Sequence, residues 1–250
     1  MLELFLWGAL AGLLPVYGGI GVAVLAHRSL SRVWEGGLIG LATGVLVYLF
    51  FDLMHEAVEL SGARDFVSWM IFLGSLLVSF VGFVVLEEWK PVGRRSFLQM
   101  MPLPYVIALG MGLHNLGEGL AIGASYGNGE PLLGVLLVTG FALHNATEGF
   151  GIVGAAGNRP FRLQDILLLG LLAGAPTCLG ALLSGQHLSP YFSLAWYSLS
   201  AGSLLYVIVT LTAMTYTATR RPQVAIGVFL GMALMYVTAM VLAQLSGIRS

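Results

Sequence analysis

The sequence predicts an all-α polytopic membrane protein with eight transmembrane helices and both termini extracytoplasmic. Three observations carry this. Of the 250 residues, 58% are hydrophobic and only 9% charged, with a mean hydropathy of +0.90, whereas soluble domains carry about 25% charged residues. The apolar residues form continuous runs near the length of about 20 that a helix needs to cross the hydrocarbon, without the alternation of a membrane barrel. The cations between the runs fall mostly on one side. The same composition excludes other classes. A net charge of −1 offers no basic footprint for nucleic acid. The single cysteine, Cys178, rules out a disulfide framework and a Cys-rich metal cluster. The 34 glycines and 9 prolines sit inside apolar runs, unlike those of disordered chains.

The first span, approximately 2–26, is uncharged from Leu4 to Ala26. Its acidic start, Met1-Leu2-Glu3, lacks the cationic region of a signal peptide. The second, 36–60, ends in a polar cluster. The third, 66–86, carries no charge. The fourth and fifth, 103–126 and 131–157, are apolar runs interrupted by ionisable groups. The sixth, 163–185, is uncharged from Ile166 onward, and Gly185-Gln186-His187-Leu188-Ser189-Pro190 reads as the turn that follows it. His187 reads as a loop bystander. The seventh and eighth cover 192–217 and 223–245. Short connections leave no room for a soluble domain, so residues 1–250 form a single transmembrane domain. Nine cations, Arg28, Arg32, Lys90, Arg94, Arg95, Arg159, Arg162, Arg220 and Arg221, lie on one side, and two, Arg64 and Arg249, on the other. The positive-inside rule places the richer side in the cytoplasm. Small residues recur at helical spacing (Gly36, Gly40, Gly44; Gly170, Gly174; Gly227, Gly231), as they do where membrane helices approach closely.

The chemistry lies in a repeat. Leu113-His114-Asn115-Leu116-Gly117-Glu118-Gly119 in span four returns thirty residues later in span five as Leu143-His144-Asn145-Ala146-Thr147-Glu148-Gly149. Ionisable side chains at membrane depth are costly and mark functional sites. Histidine at i and glutamate at i+4 share one helix face, one turn apart. A short turn near Gly127–Pro131 makes the two helices antiparallel neighbours, so His114, Glu118, His144 and Glu148 converge near the bilayer midplane. Two imidazoles and two carboxylates suit Zn²⁺ and its first-row neighbours, whereas Ca²⁺ and Mg²⁺ prefer all-oxygen cages. One dication also cancels the two carboxylate charges, which are costly to bury bare. A lone histidine or glutamate in a span is usually a packing residue, but two matched copies point to metal ligation. Span two ends in Asp52, His55, Glu56 and Glu59, which share one helix face and read either as a solvated terminus or as an outer vestibule that attracts cations. Ser198, Ser200, Ser203, Thr210 and Thr212 in span seven are better suited to bonding backbone carbonyls than an ion.

With these motifs the chain resembles the ZIP family of divalent metal transporters, nearest its prokaryotic, GufA-like branch. The two His-Asn-x-x-Glu-Gly phrases carry the likeness. Phe51-Asp52-Leu53-Met54-His55-Glu56-Ala57, Leu179-Gly180-Ala181-Leu182-Leu183 and Ala201-Gly202-Ser203-Leu204-Leu205-Tyr206-Val207 are similar to further stretches of the family. The resemblance implies that His114, Glu118, His144 and Glu148 bind the principal metal. It implies that Asn115 and Asn145 belong to an adjoining, weaker second metal site, with Thr177 at the position of the family's span-six acidic residue. It further implies uptake into the cytosol across the cell membrane, a homodimer, and a moving bundle of spans one, four, five and six. The chain departs from the family at Gly117 and Thr147, where proline is frequent, around Thr210–Thr212, where acidic residues are expected, and in loop 87–102, which has no histidine.

The reading is therefore a non-enzymatic transporter in the lipid bilayer, with a divalent metal, zinc foremost among iron, manganese, cobalt and nickel, as substrate and no cofactor. The alternatives are a membrane-embedded metalloenzyme and a non-transporting metal receptor. The Glu-x-x-His pairs of diiron bundles and the His-Glu-x-x-His of zinc proteases are absent from the sequence.

Overall fold

The computed structural model describes residues 1–27, 32–62, 65–88, 103–156, 160–184, 189–218 and 221–246. These residues are helical, with no strand among them. The elements are α1 (Leu2–Gly8), a π-helical turn (Ala9–Leu13), α2 (Leu14–His27), α3 (Arg32–Ser61), α4 (Phe66–Glu88), α5 (Leu103–Gly127), α6 (Pro131–Gly154), α7 (Leu163–Leu183), α8 (Pro190–Ala218) and α9 (Arg221–Ser246). Helix α1, the π turn and α2 run on as one rod, so there are eight long helical segments. Seven are long and apolar enough to cross a membrane: Leu2–Ala26, Trp34–Ser61, Phe66–Glu88, Leu103–Gly127, Leu163–Leu183, Pro190–Thr215 and Arg221–Leu245. The exception among the expected eight is α6. It has the length, but His144, Asn145, Thr147 and Glu148 interrupt its apolar run. Of the cations used to orient the chain, Arg28, Arg64, Lys90, Arg94, Arg95, Arg159, Arg220 and Arg249 lie outside the described residues, as does His187.

The α5–α6 connection fixes the relation of the two motif helices. Gly129 adopts φ +75°, a left-handed conformation open to glycine without penalty. Glu130 N–H donates to Ser125 O and Gly129 N–H to Tyr126 O, which closes α5 with a Schellman motif. Pro131 then starts α6, where its fixed φ and missing donor are harmless.

Packing is closest within two sets of helices. In the first, α5 lies along α7, and the α1–α2 rod lies against α6 and α7; in the second, α3 packs on α9 and α8, and α4 on α8. Glycines make the seams inside each set. A Cβ on Gly112 would sit 2.1 Å from Leu172 O, on Gly19 2.0 Å from Ala146 O, and on Gly44 2.0 Å from Val228 O. These helices touch backbone to backbone. The face between the sets, chiefly α5 on α8 and α6 on α3, is different. There Gly110 meets the Val207 side chain, Gly117 meets Trp196 and Gly154 meets Ile39. A core of buried aliphatic residues, among them Ile20, Leu46, Met111, Ile152, Leu169, Leu204 and Leu211, runs through both sets. The outward faces of α4 and α9 expose Trp69, Leu73, Leu77, Val78, Phe229, Leu230 and Tyr236, an apolar surface suited to lipid.

Candidate metal site

Helices α5 and α6 bring the two copies of the motif together inside the first set. His114, Asn115, Glu118, His144, Asn145 and Glu148 are all at most 5% exposed. The polar side chains against these buried carboxylates are imidazoles and amides, and no lysine or arginine occurs in 103–156. His114 Nε2 lies 3.2 Å from Glu118 Oε1, and His144 Nε2 contacts the same oxygen. The imidazole centroids are 6.2 Å apart. One ligand atom from each of His114, Glu118 and His144 lies within 4.8 Å of the others, and among the described residues this is the one group of such side chains placed to hold a metal ion. Tetrahedral zinc with bonds of about 2.0–2.1 Å sets neighbouring ligand atoms about 3.3 Å apart. The His114–Glu118 separation already matches this, and a small rotation would open the His144 contact to it.

Glu148 stands beside this triad and outside the 4.8 Å cluster. Asn115 Nδ2 donates to its Oε2 at 3.0 Å, and its Oε1 is buried without a partner. Reciprocally, Asn145 Nδ2 donates to Glu118 Oε2 at 2.7 Å. Each asparagine also reaches a backbone carbonyl on a third segment: Asn115 that of Ala173 at 3.1 Å, and Asn145 that of Ala11, in the π turn, at 3.0 Å. Pro176 lies inside α7 and has no N–H for the carbonyl of Leu172, the residue before Ala173, so the helix ladder is interrupted next to the carbonyl that accepts from Asn115. The oxygens of the residues expected at a second site, Asn115 Oδ1, Asn145 Oδ1 and Thr177 Oγ1, are buried and unpartnered, as are His114 Nδ1 and His144 Nδ1. Buried polar atoms are nearly always satisfied, so this concentration of free oxygen and nitrogen around two carboxylates is chemistry suited to a cation.

The end of α3 is arranged differently. Asp52, His55, Glu56 and Glu59 are all exposed, and His55 Nε2 pairs with Glu59 Oε1 at 3.3 Å. The four do not gather around a common point. Asp52 alone lies within electrostatic range of both His114 and His144, while Asp52 and Glu56 both influence Tyr197 on α8. Next to Tyr197 is a cleft of about 70 Å³ between α5 and α8, lined by Gly117, Leu120, Ala121, Ala124, Phe192, Ser193, Trp196 and Tyr197. It reaches the residue before Glu118. The alternating direction of the helices puts the Asp52 end of α3, the C-terminal end of α5 and the N-terminal end of α8 on one side of the molecule. Ser198 and Ser203 bond carbonyls of their own helix, as their sequence context suggests. Two contributors carry no signal in the sequence: Trp196, whose Nε1 is buried and unpaired, and Tyr197, since an aromatic in a membrane helix reads as ordinary packing. The Ala11 carbonyl of the π turn does have one: Pro15, four residues on, has no N–H to donate to it.

No protein-family model matches the chain. It is similar to a protein of Arabidopsis thaliana named "Putative zinc transporter At3g08650", with 30% identity over 122 residues. The match covers 48% of this chain and 19% of that protein, so the chain spans well under half of the relative's length. A His/Glu cluster buried among helices apolar enough to cross a membrane, together with this likeness, fits metal transport by a multi-pass membrane protein.

Proposed function

We propose that this chain is a transporter, not an enzyme, that carries divalent transition-metal cations across a cell membrane into the cytosol, with zinc as its main substrate. The observation that carries the proposal is the buried His114–Glu118–His144 cluster with Glu148 beside it, in the middle of an apolar helical bundle. An uncharged span interior has no structural need for two carboxylates and two imidazoles. In the proposed cycle a cation enters from the side of Asp52 and Glu56, passes the cleft beside Trp196 and Tyr197, and loses its water to the imidazoles and carboxylates. Glu148 swings in as the fourth ligand. That entry side is taken as extracytoplasmic because the loops at the opposite ends hold most of the cations. The chain is assigned to the ZIP family, GufA-like branch, on the motif resemblance, and to a homodimer on the same ground. Neutral oxygens of Asn115, Asn145 and Thr177 form at most a weaker second metal site.

The test is zinc uptake by purified protein in sealed liposomes. Glu118→Ala and Glu148→Ala should each lower uptake at least tenfold while the protein still inserts and elutes as a single species. Wild-type uptake in either variant would reject the site. Tight metal binding without flux in the unaltered protein would instead favour a receptor, and turnover of a substrate an enzyme.

A further inference from the structure

We propose that Asn115 and Asn145 are positioning residues that act through their amide N–H groups: each clamps the glutamate of the opposite motif helix to a third segment of the bundle. This rests on the metal-site reading above and goes beyond it, because the resemblance assigns these residues to a second ion through their oxygens.

The geometry determines which amide atom faces the glutamate. Asn115 Nδ2 has two neighbours, Glu148 Oε2 and Ala173 O. Asn145 Nδ2 has two, Glu118 Oε2 and Ala11 O. All four neighbours are acceptors, and a carbonyl or ionised carboxylate offers no proton. Reversing either amide would set its oxygen against two oxygens in a buried site, so the donor orientation is the one the surroundings permit. Both asparagines are fully buried, where a lost hydrogen bond cannot be replaced by solvent.

The pairing is crossed. Asn115 on α5 holds Glu148 on α6, and Asn145 on α6 holds Glu118 on α5. The sequence repeat therefore yields a reciprocal device in which each motif orients the carboxylate of the other. The second bond of each amide ties that carboxylate to α7 or to the π turn. A carboxylate with one oxygen held in this way keeps its other oxygen directed: Glu118 presents Oε1 to both imidazoles, and Glu148 retains an unpaired Oε1. Hydrogen-bonded supports of metal ligands commonly change affinity 10- to 100-fold when removed.

Asn115→Leu and Asn145→Leu remove the donors with little change of volume. Co²⁺ titration of the purified protein in detergent reads both affinity and, from the intensity of the visible bands, coordination number. Each variant should bind its first Co²⁺ at least tenfold more weakly, with a spectrum shifted from that of the wild type. Unchanged first-ion affinity and spectrum, with loss of a second ion alone, would overturn the clamp and return the asparagines to a ligand role. A wild-type protein that binds no Co²⁺ would reject the metal site itself. The crossed pairing is tested separately by thermal unfolding of the metal-free protein in double-mutant cycles. Asn115→Leu should be non-additive with Glu148→Gln, and Asn145→Leu with Glu118→Gln. The uncrossed combinations, Asn115→Leu with Glu118→Gln and Asn145→Leu with Glu148→Gln, share the same buried cluster but no direct bond, and should couple clearly less. Equal coupling in all four combinations, or none, would overturn the proposal even if the Leu variants bind metal poorly.

Discussion

At the scale of single residues, charge decides how many ions the site keeps. Glu118 and Glu148 bring two negative charges, and one dication cancels them. A second dication would find three further oxygens, Asn115 Oδ1, Asn145 Oδ1 and Thr177 Oγ1, none of them charged. Two unit charges 4 Å apart interact by about 4 kcal/mol at an effective dielectric of 20, and two dications by about 16 kcal/mol. Neutral oxygens do not offset a repulsion of that size. We expect one tightly held zinc per chain, counted by mass spectrometry or by metal analysis of the purified protein; two full equivalents retained through gel filtration would contradict this. Binding should release protons and weaken on acidification, since an imidazole must be unprotonated to ligate.

Asp65 gives a residue-scale pH effect remote from the metal. It precedes α4, accepts the Ser68 N–H at 2.7 Å on Oδ1 and the Tyr191 hydroxyl at 2.9 Å on Oδ2. Those bonds, the Ser68 backbone bond first, hold its carboxyl below the usual value. A lowered folded-state value means that the carboxylate stabilises the fold above the ordinary carboxylate range, near pH 4, and that the contribution disappears as pH falls through the lowered value. Asp65→Asn keeps a helix-capping oxygen but not the charge. Melting temperatures of the wild type and this variant should differ most above the ordinary carboxylate range and converge as the pH falls through the lowered value. A gap that widens with acid would show that the charge is not what Asp65 contributes.

At the scale of elements, the legible part of the fold is that which length and hydropathy specify. An uncharged run such as Phe66–Leu86 leaves the backbone no alternative to a membrane helix, and the observed α4 spans it. The two motif helices were legible as neighbours because a glycine turn joins them and the His-to-Glu interval keeps one face. The π turn at Ala9–Leu13 had one signal, Pro15: it stands four residues after Ala11 and has no N–H for that carbonyl, which accepts from Asn145 instead. The crossed Asn–Glu bonds were hidden, because a repeat fixes the face each side chain occupies but not its partner.

Glycine seams allow a sharper element-scale test. Gly→Ala within a helix gains about 1 kcal/mol in propensity. Forcing atoms into a packed seam costs about 1–3 kcal/mol. At Gly44 a Cβ would lie 2.0 Å from the fixed carbonyl of Val228, so overpacking wins and Gly44→Ala should lower the melting temperature by several degrees. At Gly140 a Cβ would meet only the tip of the Leu242 side chain, at 2.8 Å, which can rotate away. Gly140→Ala should leave stability unchanged or raise it. Equal melting temperatures for the two variants would mean that the α3–α9 seam is looser than its backbone contacts indicate.

At the scale of the whole molecule, these two kinds of seam divide the chain. Helices α1, α2, α5, α6 and α7 are joined by backbone contact and contain every residue of the metal site, whereas side chains alone fill much of the face they share with α3, α8 and α9. Shear motions are small slidings of packed helices, and a side-chain-filled face offers less resistance to them than a backbone-to-backbone seam. If the chain works as the family resemblance implies, the set that carries the candidate metal site is the body expected to move against the other. A disulfide across the face should stop transport, and one inside the set should not. Gly110 and Val207 are suited to the first: a Cβ on Gly110 would lie 2.9 Å from Val207 Cγ2. Ser125 and Gly134 are suited to the second, since a Cβ on Gly134 would lie 3.1 Å from Ser125 Oγ, between α5 and α6. Each distance runs from a Cβ to the partner's γ atom, the place of a cysteine sulfur, and so is compatible with the Cβ–Cβ range of about 3.5–4.5 Å that a disulfide requires. The native Cys178 is buried and will not compete. Oxidised Gly110→Cys/Val207→Cys protein should lose zinc uptake and regain it with reductant, while oxidised Ser125→Cys/Gly134→Cys protein keeps it. If the cross-set disulfide forms completely and uptake persists, the cation crosses without relative movement of the two sets.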